Sequence, residues 1–113
     1  MLNIETEIFK GVMFVRIKGE LSIKTIRKWD EEVKNLIDDN GITNVVFNLS
    51  LLKKIDIVGI KAIFKSYEMC KLNNGIVYLC HLNKKLKDKL RNNLLKYILE
   101  INSESDAISI INA

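Results

Sequence analysis

The chain has no proline, only two cysteines and a single histidine. With no proline to interrupt a helix or strand, the boundaries fall to glycine, asparagine and capping side chains. Cys70 and Cys80 lie outside any C-x-x-C pair, and one histidine cannot complete a zinc set with them without carboxylate help. Reduced, buried thiols are expected, and no metal or other cofactor. No apolar run approaches the roughly 18 residues that a membrane helix needs. Glu5 and Glu7 stand where a secretory leader would be basic, so no membrane insertion and a cytoplasmic location are expected. Neither the G-x-x-x-x-G-K-[ST] phosphate loop nor the G-x-G-x-x-G turn is present, which removes the usual marks of nucleotide hydrolysis and dinucleotide use.

What is there suits one domain spanning residues 1–113, with 48% hydrophobic and 28% charged residues. The net charge of +4 is concentrated locally: Lys84 to Arg91 holds five basic residues against one acid. Leu82, Leu86, Leu90 and Leu94 recur through this stretch at i, i+4 spacing, so it reads as a docked helix with a solvated cationic face. Only Asn92 and Asn93 could contact bases, and no aromatic side chain is interleaved, so no nucleic-acid partner is expected.

In chain order, strands are predicted over 3–9 and 12–18 with Lys10-Gly11 as their turn, then a helix over 23–38 capped by Ser22. Ile26, Trp29, Val33, Leu36 and Ile37 form that helix's apolar stripe, and Gly41 supplies the positive φ at its end. A buried strand over 43–49 leads through a turn, Ser50 to Ile55, into a helix over 57–72 that Asn73-Asn74-Gly75 stops. Asp56 is its N-cap, accepting from Val58 or Gly59, and Ile60, Ile63, Phe64 and Tyr67 face inward. Strand 76–80 follows, parallel to 43–49, then the basic helix to about Asn93, a short strand at 97–99 and a final helix opened by Ser103-x-x-Asp106. The order β-β-α-β-α-β-α-β-α predicts an α/β fold, a mixed sheet of four to five strands with about four helices, one face covered better than the other.

Catalysis finds no convergent set. Asp38-Asp39 belongs to a helix-ending turn, Glu31-Glu32 to an exposed face and Glu104-Asp106 to a cap, while His81 has no identifiable nucleophile or orienting carboxylate. No enzymatic activity is expected. The strand-to-helix junction around Asp56 is the one place where local geometry suggests a site.

Gly19-Glu20-Leu21, Asn48-Leu49-Ser50, the Ile55-Asp56-x-x-Gly59-Ile60 turn and Gly75 before a strand together resemble the STAS domain of bacterial anti-sigma factor antagonists, which also occurs in sulfate transporters and lipid-transport ATPase complexes. The resemblance spans nearly the whole chain. It implies a single STAS-like domain that acts in transcription regulation by binding a kinase-type anti-sigma factor. Carried onto this sequence, the partner-binding positions are Ser22, Asp56, Ile57, Val58, Gly59 and Ile60. In the family the residue before the turn's glycine is commonly a phosphorylated hydroxyl; here it is Val58, preceded by Ile57, so the phosphoserine switch is absent. Ser22 and Asn48 also stand where acids are common in the family. A phosphate would bring about −1.5 to −2 charges and expel a partner from this helix start; valine cannot be switched that way. The resemblance leaves two alternatives: a subunit binding the ATPase of a lipid-transport complex, or a small-ligand or nucleotide sensor using the helix N-terminus with Lys53 and Lys54.

Overall fold

The computed structural model describes residues 1–113. Strands β1 (Leu2–Phe9), β2 (Val12–Leu21), β3 (Val45–Ile55), β4 (Val77–Cys80) and β5 (Leu99–Ile101) form one sheet in the order β1-β2-β3-β4-β5. β1 is antiparallel to β2 across a tight turn in which both Lys10 and Gly11 have positive φ. All later pairings are parallel, as expected for the 43–80 unit. The helices are α1 (Ile26–Trp29), α2 (Asn35–Asn40), α3 (Ile57–Leu72), α4 (Lys84–Leu90), α5 (Leu94–Tyr97) and α6 (Glu104–Ile111). A π-helical segment, Asp30–Lys34, joins α1 to α2 without a break and makes one rod of the three.

The strand order never reverses. Successive right-handed crossovers moving one way across a sheet must place their helices on the same face. The main core accordingly gathers Trp29, Val33 and Ile37 of the rod, Ile60, Ile63 and Cys70 of α3, and Leu86, Leu90 and Leu94 of α4 and α5 against one side of the sheet. Only α6, which follows the last strand, reaches the other side, where Ala107 meets Val12, Phe14, Val46, Tyr78, Cys80 and Ile101. The unequal cover predicted for the two faces is observed, and its cause is topological.

Four local expectations are corrected. The segment 50–55 is not a turn but the second half of β3, paired through Leu21↔Ile55 to a β2 that runs to Leu21, with register shifts between Arg16 and Lys18 and between Gly19 and Glu20. Ser22 does not cap the first helix: Thr25 occupies the N-cap position and makes no side-chain cap bond. The basic helix breaks after Leu90, and Asn93 restarts it as α5 by accepting from Leu94 N at 2.6 Å. The last strand lies at Leu99–Ile101 rather than 97–99. The Ser103 cap is present, its hydroxyl accepting from Asp106 N at 3.2 Å, and Gly41 ends α2 at φ 63°.

Glu104, at the first turn of α6, fixes that helix to the sheet. Its carboxylate accepts from Arg16 Nε at 2.9 Å and Nη2 at 2.7 Å, and from Asn48 Nδ2 at 2.9 Å. An aspartate at 48 could not donate this last bond, so asparagine there suits a helix docked through a carboxylate. The Arg16 guanidinium holds the Glu104 carboxyl below the ordinary glutamate range, against the opposing effect of burial. A lowered folded-state pKa contributes stability that is complete above the ordinary glutamate value and disappears as pH falls through the lowered one. Glu104→Gln is therefore expected to cost about 1 kcal/mol at neutral pH, after allowing for the pair's partial exposure. The gap to the unaltered chain should close in acid, as thermal melts of both proteins across that range would show. An equal gap at every pH would refute the assignment.

Candidate functional site

The junction of β3 and α3 is built from two loops bound to one carboxylate. Asp56 has extended backbone at φ −107°, and its Oδ1 accepts from Gly59 N at 3.0 Å, the predicted N-cap bond. Its second oxygen, Oδ2, accepts at 3.0 Å from Ile23 N, in the loop after β2. The Asp56 N–H donates to the Leu21 carbonyl at 3.3 Å. Asp56 therefore ties the β2 loop to the start of α3. The backbone bond from Ile23, and next that from Gly59, hold its carboxyl below the usual aspartate range, so it stays a charged acceptor at neutral pH.

Gly59 sits against that same loop. A Cβ built there would run into the Leu21 carbonyl oxygen and lie 2.9 Å from Ile55 Cγ1. Gly75 is an equivalent close approach at the far end of α3, where a Cβ would strike the Thr43 carbonyl. Gly59 and Gly75, two of the three glycines in the matched pattern, are thus required by backbone crowding.

Ser22 is buried and faces inward: its hydroxyl donates to Glu20 Oε2 at 2.5 Å and accepts from Lys24 N at 3.2 Å. The Ser22 bond keeps the Glu20 carboxyl low. Thr25 completes the loop, its Oγ1 accepting from Ser22 N at 3.0 Å and donating to Glu20 O at 3.0 Å.

Six residues were expected at the docking surface, and the structure separates them. Ile57 is 61% exposed, Asp56 and Val58 are half-buried, and Ser22, Gly59 and Ile60 are buried. Ile23, which the sequence patterns passed over, is 68% exposed and bonded to the same carboxylate, so two bare isoleucines flank Asp56. Its signal lay only in Asp56's second oxygen, which helix periodicity cannot reveal.

Because the strand order has no reversal, the sheet lacks the crevice between oppositely directed crossovers in which α/β folds usually hold ligands. His81 is exposed at the end of β4 with a left-handed φ of 59°. Cys70 and Cys80 are separate buried thiols, pushed up by burial to about 11 and about 12. No helix is long and apolar enough to cross a membrane.

The STAS domain family model matches residues 3–107. Among solved structures, a putative anti-sigma factor antagonist from Thermotoga maritima is 19% identical, with 97% of this chain and 95% of that one covered at a TM-score of 0.86. An anti-sigma factor antagonist from Mycobacterium paratuberculosis is 18% identical over 100% of this chain and 96% of that one, also at 0.86. The murine Solute Carrier 26 family member A9 anion transporter is 16% identical over 94% of this chain and only 18% of its own, at 0.74. At these identities the likeness is one of fold.

Proposed function

The chain belongs to the STAS domain family, and from that premise we propose that it is a non-enzymatic protein-interaction module of the anti-sigma factor antagonist kind, acting in the cytoplasm. Its partner is a kinase-type anti-sigma factor, bound at the start of α3 without control by a phosphoserine. The observation that carries this reading is the exposure of Ile57 and Ile23 on either side of a fully bonded Asp56. Exposed branched apolar side chains on a rigid turn offer contact area at little ordering cost, whereas a hydroxyl in place of Val58 would offer a switch. Ser22, Gly59 and Ile60 act from beneath by shaping the turn.

The test mixes the purified chain with each kinase-type anti-sigma factor of the same genome and ATP. A stable complex is expected, lost in Ile57→Asp, with no phosphate on residues 50–60. Val58→Ser is expected to gain phosphate and to release the partner. Phosphate on the turn of the unaltered chain would sink the unswitched reading, and failure to bind any such factor would sink the antagonist reading.

The absence of hydroxyls at 57 and 58 also suits a second role, as the STAS subunit of a lipid-transport ATPase complex. Co-purification with a permease and its ATPase, in place of an anti-sigma factor, would select it.

A further inference from the structure

Beside the docking turn lies a cleft of about 470 Å³ between the second half of β3 and α4. β4 ends at Cys80, opposite Asn48, so from Leu49 onward β3 has β2 on one side and no strand on the other. Lys53 and Lys54 line the cleft from β3; Lys85, Lys89 and buried Leu86 line it from α4, together with Asn83. None of the lining residues is acidic. The chain's ion pairs engage Arg16, Lys28, Lys87 and Arg91, which leaves these four lysines free. Glu20 stands opposite Lys54 on β2 and offsets part of that lysine's charge, though it makes no ion pair with it.

We propose that this cleft takes an extended, carboxylate-rich segment of the protein partner, laid along the free edge of β3 with its acids among the four lysines. The inference rests on the docking reading, because Lys53 to Ile55 lead directly into the turn at Asp56. Three features select this occupant. An unpaired strand edge supplies main-chain donors and acceptors to an added strand. Four lysines without an ion-pair partner, against the one nearby carboxylate of Glu20, favour an acidic segment and repel a second copy of this chain, whose own edge would bring lysine against lysine. No aromatic residue lines the cleft for base stacking, and α4 has already buried Leu86 and Leu90 in the core, so it has no apolar face to lay into a lipid surface.

The experiment titrates the isotope-labelled full chain with an acetylated octapeptide alternating glutamate and valine, at about 150 mM salt, where remote charges are screened. Saturable amide shifts confined to 50–55 and 83–89 are expected, with none from the lysine–valine counterpart. The K53E/K85E double variant should bind about tenfold more weakly with an unchanged melting temperature. Ile57→Asp should bind the peptide as the unaltered chain does, so failure at the cleft and failure at the docking turn are read separately. The proposal is overturned by the absence of saturable shifts, by shifts scattered over the other lysines, or by equal binding to K53E/K85E, which would leave the lysines as guards against edge pairing. Vesicles of phosphatidylglycerol moving these resonances where the peptide does not would overturn it in favour of a membrane surface.

Discussion

Gly59→Ala should lower stability by about 3 kcal/mol and the melting temperature by about 15 °C, despite placing a better helix former in the first turn of α3. In an open helix, alanine gains about 1 kcal/mol over glycine, so the sign of the effect separates propensity from crowding. Crowding wins because the added methyl would meet the Leu21 carbonyl oxygen and come within 3.0 Å of its carbon. These are backbone atoms at the end of β2, where Leu21 pairs with Ile55 and its carbonyl accepts from Asp56 N, and they cannot swing away as a side-chain end can. The relief open to the chain is to lift α3 from the β2 loop, which would strain the bonds from Ile23 and Gly59 to Asp56. The variant should therefore lose partner binding at temperatures where it is still folded. Paired urea titrations and binding measurements would check both effects; a melting temperature equal to or above that of the unaltered chain would refute the crowding argument.

Phe47→Ala is expected to cost about 4 kcal/mol, a large part of the roughly 5–15 kcal/mol that holds a domain of this size. Phe47 is completely buried in the first half of β3 and meets Trp29 at 5.8 Å between ring centroids, tilted by 30°. That pair is where the first helical rod grips the sheet. Truncation leaves a void the size of a phenyl ring under a rigid strand flanked by β2 and β4, so collapse can recover little of the loss. Trp29 is the only tryptophan, so its fluorescence reports both the altered packing before unfolding and the shifted urea midpoint. A midpoint within experimental error of the unaltered chain's would show that the pair does not anchor the rod.

Much of this was legible because periodicity and capping speak locally. The stripe of Leu82, Leu86, Leu90 and Leu94 is buried throughout, the Asp56 cap forms with Gly59, and the hairpin turns at Lys10-Gly11. What escaped is non-local. Leu51-Leu52-Lys53-Lys54-Ile55 shows no period-2 pattern, since its buried members, Leu52 and Ile55, are three apart; β3 bulges there, with Lys53 as the extra residue against β2, and pairing with the long β2 makes the segment a strand. In the first helix the expected stripe included Ile26 and Leu36, which are only half-buried, whereas Trp29, Val33 and Ile37 are buried at an unbroken spacing of four. The π-helical segment explains that spacing: its wider turn advances more residues per revolution than an α-helix and shifts the inward face. At the site, the six expected residues were sorted only by packing, which turned Ser22 inward and Ile57 outward, while Ile23 entered through a bond spanning 33 positions of sequence.

The unreversed strand order also bears on how the chain is made. As the chain leaves the ribosome, both strands of the β1–β2 hairpin are synthesised before β3, and β3, β4 and β5 each emerge after the neighbour whose edge they join. No strand must be held open for a neighbour still to be synthesised, so the sheet can grow at the pace of translation, and α6, arriving last, closes over the far side.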